Sequence, residues 1–395
     1  MEKILFITNR DVLTTCGAFR LIGNRAEALY REYGLATDFC VIQKESRLLS
    51  PKRENINAGG EMKVVTYNSF NIISALIRFH KEIYRMINKS QYKAIIVSEI
   101  SLIINLKKIK SLSGVPIYFD GHGSSEDIYE CARQRGAIQF FLRYCAYILD
   151  IKLLKHYFKI ANGSFVVSSG MRDYYQQKTN APASFQYFRV PCATASVLDN
   201  TCYLSYRQEY RQYFSLLDDC IAFVYSGGIE SWQCVEETVK IYKHIAKSIS
   251  KNSKFFIFTY EVDKARQMIG EDNEDVIVIS FKSSELIKAL CAMDFAFLIR
   301  KDTITNNVAF PNKFLEYVNT RLKIITTPYV YDVASQVKDN NLGCIIGLND
   351  NLDDLIDYIE NNHNTQISSL IVEHVIIDNG FKVRLSEFNK AINKG

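Results

Sequence analysis

Short apolar runs alternate along the whole chain with longer segments in which apolar positions recur every three or four residues. In the first half the short runs are residues 4–8, 37–42, 63–66, 94–98, 116–119 and 164–168. Runs of that length, rich in Ile, Val and Phe, predict strands covered on both faces. Helical periodicity follows them, as at 20–33, 72–88 and 138–158. Strand and helix in alternation predict βαβ units and a parallel sheet.

The second half repeats the scheme. Its runs are 221–225, 255–259, 276–280, 295–299, 323–327 and 344–346, with helical patterns at 232–250, 284–291 and 313–319 between them. A less periodic stretch at 191–206 separates the halves, after a strand-like run at 188–190. The predicted fold class is α/β, with two Rossmann-like, doubly wound parallel-sheet domains facing a central cleft. Their expected bounds are 1–193 and 194–375, and a closing amphipathic helix within 376–395 is expected to pack back on the first domain. Two facing sheet edges can hold a donor and an acceptor, the arrangement a group-transfer enzyme needs.

Composition narrows this picture little. The chain has 395 residues, 48% apolar and 23% charged, an ordinary globular balance with room for two domains. Charge distribution adds more. Residues 1–200 hold 27 Lys/Arg against 17 Asp/Glu, and residues 201–395 hold 21 against 26. A basic first half points to an anionic surface or acceptor, such as lipid head groups or acidic glycans. Peripheral membrane contact is expected through the basic, aromatic segments 72–89 and 133–159. No nucleic-acid-binding module is recognisable, so nucleic acid is not an expected partner. Ten scattered cysteines without a CxxC pair or Cys/His cluster predict reduced core thiols and no metal site. The opening MEKILFITNR reads as a strand and not as a signal peptide, and no apolar run reaches about 18 residues. The expected location is the cytoplasm, including the inner face of the cell membrane.

The most informative stretch is 294–328, DFAFLIRKDTITNNVAFPNKFLEYVNTRLKIITTP. It reads as a strand ending in Arg300-Lys301, a polar loop, and a helix opened by Pro311-Asn312-Lys313 with Glu316 and Tyr317 in its first turns. Such a unit brings cations and free helix N–H groups to the C-terminal edge of a parallel sheet, where anions bind. A carboxylate one turn into the helix can take sugar or ribose hydroxyls.

Three segments in order resemble the nucleotide-sugar domain of GT-B glycosyltransferases, in particular the retaining glycosyltransferase family 4. They are VYSGGIESWQ (224–233), VIVISFKSSELIKALCAMDFAFLIR (276–300) and AFPNKFLEYVNTRLKIITTP (309–328); the last is similar to the family pattern sPxKxxEYmacGkPVI. In the first half, IYFDGHG (117–123), SFVVSSGMRDYY (164–175) and RVPCATASV (189–197) resemble acceptor-domain and linker segments of the same enzymes. The resemblance implies a transferase that moves a sugar from a nucleoside-diphosphate sugar, UDP-linked by expectation, to a glycan or lipid-linked acceptor in cell-surface polysaccharide synthesis. It implies Glu316 on the ribose, Lys313 and Arg300 at the diphosphate, and Pro311 and Asn312 at the helix start. Gly227 and Gly228 are implied to lie where backbone meets phosphate or sugar, and Phe281 in the loop lining the base. On the acceptor or sugar side it implies Gly17, Arg20, Asp120 and His122. His122, Arg300 and Lys313 are the expected catalytic groups.

The chain departs from the family in two places. The residue eight before Glu316 is Val308, not the usual glutamate, and the Arg and Lys expected after the second domain's first strand are replaced around Gly228 and Trp232-Gln233. Arg300, Lys301 and Lys313 are the expected substitutes. Departure of the diphosphate can be assisted by fixed cations and a helix N-terminus without metal, and no Asp-x-Asp motif is present to hold one. The resemblance implies retention of configuration and no cofactor. Competing readings are a nucleotide-sugar epimerase of the same fold, and a degenerate subunit that binds nucleotide or glycan. Glu99 is a further cleft carboxylate, expected to be structural.

Overall fold

Every predicted run becomes a strand in the computed structural model, which describes residues 1–9, 17–45, 56–98, 104–130, 136–191, 196–270 and 274–393. Glu99 and the side chains of residues 17–20, Arg20 among them, lie outside the described set. The chain divides into two units, Met1–Ala193 with Phe381–Gly395, and Thr194–Gly380.

The first unit holds β1 (Lys3–Thr8), β2 (Ala36–Lys44), β3 (Gly59–Tyr67), β4 (Ala94–Ser98), β5 (Ile117–Asp120), β6 (Gly163–Val166) and β7 (Gln186–Arg189). Their order is β3-β2-β1-β4-β5-β6-β7, with every pairing parallel. The second unit holds β8 (Ile221–Ser226), β9 (Ser253–Phe258), β10 (Val276–Ile279), β11 (Phe295–Leu298), β12 (Lys323–Thr326) and β13 (Gly343–Ile345). They pair in the order β10-β9-β8-β11-β12-β13, again all parallel. The direction of winding reverses between β1 and β4 in one sheet and between β8 and β11 in the other. Connections leave in opposite directions at such a point and open a crevice at the strand C-termini. β4, β8 and β11 are buried along their whole length, which explains why their runs are continuous rather than alternating.

Two helical segments differ from the sequence pattern. The segment 232–250 is a 3-10 turn, Ser231–Gln233, followed by the helix Val235–Ser248. Cys234 breaks them apart at φ 54° with its side chain buried, so core packing overrides helical continuity there. The closing segment is likewise two short helices, Phe381–Arg384 and Ser386–Ile392. Phe381, Leu385, Phe388 and Ile392 are buried in the core of the first unit. The Phe388 ring meets Tyr118 at 5.0 Å and Phe165 at 4.8 Å, both near-perpendicular. Burial of one such ring contributes roughly 2–3 kcal/mol.

Candidate functional site

Cations collect at the winding reversal of the second sheet. β11 delivers Arg300 just past its C-terminal end, and Thr327, just past β12, holds that backbone. The Arg300 N–H donates to Thr327 Oγ1 at 3.1 Å, and Thr327 Oγ1 donates to Arg300 O at 2.9 Å. The guanidinium is 3% exposed and donates to Gln233 Oε1 at 2.5 Å and Gln233 O at 3.2 Å. The helix Asn312–Asn319, entered through Pro311 at φ −64°, delivers Lys313. Its Nζ donates to the same Gln233 Oε1 at 3.0 Å and to Tyr225 Oη at 3.2 Å, and lies 4.2 Å from the centre of the Tyr225 ring. The Ser226 N–H donates to buried Tyr317 Oη at 2.9 Å, tying the end of β8 to this helix. Gly227 stands at φ +140°, and a Cβ there would lie 2.7 Å from Lys313 Nζ, so only glycine lets the ammonium sit against the backbone.

The electrostatics are unbalanced. Neither Arg300 nor Lys313 forms an ion pair among the described residues, yet both are directed at one amide oxygen. Burial, with Arg300 beside it, holds the Lys313 ammonium well below the usual lysine range; the Glu316 carboxylate offsets this in part. Burial also lowers Arg300. Glu316 lies one turn further along the helix, half-buried, and its carboxylate accepts no hydrogen bond among the described residues. Burial pushes its pKa up, and Lys313 pulls against that. Two converging cations without a counter-ion, beside a carboxylate without a donor, form a site whose charges are left for a ligand to satisfy.

The remaining residues expected in this half fall around it. Gly228 lies beside Glu261, whose Oε2 accepts the Ile229 N–H at 2.8 Å. Asn312 opens the helix on its exposed side. Phe281, in the loop after β10, packs on Phe258 at 5.0 Å and on Phe214 at 6.2 Å. Lys301 is taken by Glu237 at 2.6 Å, so it does not join the cation pair. Val308 is 3% exposed and belongs to the apolar interior.

In the first unit Asp120 and His122 sit at the end of β5. Asp120 is fully enclosed and ion-paired to Arg25, and His122 Nε2 lies 3.0 Å from its other oxygen. Burial alone would raise the Asp120 pKa, but Arg25 and His122 together hold it below the usual carboxylate range. Asp120 thus orients His122. Gly121 between them passes over Tyr175, whose Oη would lie 2.3 Å from a Cβ. Below the loop, fully buried Glu126 pairs with Lys178 at 2.9 Å. The loop borders a cavity of about 340 Å³ lined by His122, Ser124, Ser125 and Asp127 and by the inner face of the helix Ala137–Phe158. Gly17 is the first residue of the helix Gly17–Tyr33.

Three participants escaped the sequence pattern. Gln233 and Tyr225 carry no charge, and their partners come from strands and helices far along the chain. Arg25 was hidden inside an ordinary helical period. Its guanidinium, 1% exposed, reaches Asp120 and also donates to Val190 O at 2.5 Å. A charged residue on the apolar side of a helix was the one available signal.

No protein-family model matches the chain, and no curated protein matches it in sequence. Solved structures do match it in shape. A glycosyltransferase from Rickettsia africae aligns with a TM-score of 0.70 at 12% identity, over 100% of this chain and 99% of that one. WaaG, a glycosyltransferase involved in lipopolysaccharide biosynthesis, aligns with a TM-score of 0.63 at 12% identity, over 99% of this chain and 100% of that one. Anabaena HepE in complex with UDP aligns with a TM-score of 0.64 at 10% identity, over 99% and 98%. These similarities show the GT-B fold.

Proposed function

We propose that this GT-B chain is a glycosyltransferase that moves a sugar from a nucleoside-diphosphate sugar, UDP-linked, to a glycan or lipid-linked acceptor in cell-surface polysaccharide synthesis. The observation that carries the reading is the pair Arg300 and Lys313 converging on Gln233 Oε1 without an ion-pair partner, with the undonated Glu316 carboxylate one turn away. A diphosphate supplies the missing negative charge, and ribose hydroxyls supply the missing donors. Solved structures of the same fold bind UDP, in HepE, and UDP-2-fluoro glucose, in an Escherichia coli trehalose-6-phosphate structure.

In this mechanism Lys313 and Arg300 hold the diphosphate and stabilise the charge that grows on it as the glycosidic bond breaks. The sugar passes through an oxocarbenium-like state. Retention of configuration and independence of metal belong to the proposal. His122, oriented by Asp120, is the proposed contact with the sugar or acceptor hydroxyl, with Gly17 and Arg20 on the same side. Phe281 is proposed to line the base, and peripheral membrane contact is part of the same reading.

Calorimetry on the full chain tests it. UDP is expected to bind, and Glu316→Ala is expected to weaken UDP by about 10- to 100-fold, the worth of hydrogen bonds to a charged group, while inorganic pyrophosphate is unaffected. Absence of binding by UDP, GDP, ADP, CMP and dTDP would sink the transferase reading. An equal loss of pyrophosphate would remove Glu316 from the ribose.

The affinity for UDP-glucose is expected to depend on pH through Lys313. Its folded pKa is depressed without ligand, and a bound diphosphate raises it again. Between the two values binding takes up a proton, so affinity falls as pH rises, by at most about tenfold per pH unit. The diphosphate diester of UDP-glucose does not titrate in that range. A flat profile from about pH 6 to 8.5, below the ionisation of the uracil ring, or a slope in that range that persists in Lys313→Met, would reject Lys313 as the titrating group.

A further inference from the structure

The helix Ala137–Phe158 is buried in its unit at its C-terminal end, at Leu154, Tyr157 and Phe158. It is held further back along one side, where Tyr129 packs on Phe140, Tyr144 and Tyr147 and Tyr147 Oη donates to Glu126 at 3.1 Å. The other side of those turns is apolar and exposed. Ile138 is 79% exposed, Phe141 65% and Leu142 61%, and Ile148 and Leu149 are exposed as well. Positions 138, 141, 142, 148 and 149 recur with the helical period and share one face. An uncovered stripe of this size on a monomer marks a contact surface.

Charge identifies the occupant. Asp150 is the helix's single carboxylate; it lies away from the stripe and lines the cavity near His122. Arg143, Lys152, Lys155 and His156 are exposed along the helix, and Lys159 follows it, exposed as well. Asp127 and Glu130 flank the side of the helix that Tyr129 covers, while Lys152, Lys155, His156 and Lys159 carry the charge towards its C-terminal end, and like charges there oppose a second copy of the same face. These cations complement anionic lipid head groups, with the apolar side chains entering the acyl boundary. No helix among the described residues is long and apolar enough to cross a membrane, so the helix lies on the surface.

We infer that the exposed face of the helix Ala137–Phe158 is the membrane-docking surface of this chain, taking an anionic bilayer. The opposite face of the same helix borders the cavity beside His122, so docking brings that cavity to the lipid surface. An acceptor used there is then a lipid-anchored saccharide. That last consequence rests on the transferase reading; the docking does not.

Co-sedimentation of the full chain with vesicles decides it. Binding is expected to phosphatidylcholine vesicles carrying about 30% phosphatidylglycerol at about 50 mM salt, with at least about a tenfold weaker partition to phosphatidylcholine alone and at high salt. Phe141→Ser with Leu142→Ser is expected to reduce partition by about tenfold or more, and Lys152→Glu with Lys155→Glu likewise. All four positions are exposed, so melting temperature and UDP affinity are expected to stay unchanged. Equal partition of wild type and both variants overturns the inference. So does a wild-type dimer that ignores vesicles and that the apolar variant converts to monomer, which would make the face a self-contact. UDP calorimetry on the same samples keeps a failure of docking distinct from a failure of the nucleotide site.

Discussion

Replacing Lys313 with methionine is expected to slow sugar transfer by two to three orders of magnitude without loosening the fold. The magnitude follows from the position of the ammonium. It shares an acceptor with Arg300 at 3.0 Å, and in the proposed mechanism it stands where the departing diphosphate gathers charge. Removing one preorganised donor from such a position costs about 100- to 1,000-fold. The fold is spared because the ammonium is a destabilised charge. Burial and Arg300 both disfavour it, and methionine keeps the apolar stem against Tyr225. The measurement is UDP release from the donor sugar, with water as the default acceptor, alongside a thermal melt. A loss of less than about tenfold, or a variant that melts well below wild type, assigns Lys313 to the architecture and not to the reaction.

Exchanging Gln233 for glutamate is expected to raise stability and lower nucleotide affinity together. The new carboxylate would take the place of an oxygen that Arg300 reaches at 2.5 Å and Lys313 at 3.0 Å. Both cations would gain a counter-ion, stabilising the chain by about 1–2 kcal/mol, which for a unit of this size is a rise of about 2–8 °C in melting temperature. The same carboxylate would occupy the field that the proposed function gives to the diphosphate, and UDP binding is expected to weaken by about 100-fold or more. Opposite signs in the two measurements distinguish a ligand site from a structural cluster. If the cations only hold the fold together, stability rises and UDP affinity does not move.

The sheet strands were legible because each central strand is buried on both faces and so leaves an unbroken apolar run. β8 and β11 are examples, covered along their whole length. Arg300, Lys313 and Glu316 were legible because charged residues in a strand-loop-helix unit stand out, and the resemblance assigned them a purpose. Lys301 carried the same signal and is spent on Glu237; sequence spacing cannot tell a free lysine from a paired one. Gln233 was illegible for two reasons. It is neutral, and it lies in a turn created by the left-handed Cys234, inside a run that reads as one helix. Arg25 was illegible because its partners, Asp120 and Val190, lie 95 and 165 residues away. Interactions made across a sheet edge leave no trace in local periodicity.

The buried closing segment has a bearing on how the chain is made. Phe381, Leu385, Phe388 and Ile392 complete the hydrophobic core of a unit whose other residues are all at the front of the sequence. Domains ordinarily fold in the order in which they are synthesised. Here the front unit's core stays short of four large side chains until residues 381–392 have left the ribosome. The unit Thr194–Gly380 is continuous and can close first. Birth order and folding order are therefore reversed, and a ribosome that stops between the codons of Gly380 and Phe381 yields a complete second unit attached to a first one whose core is unfilled.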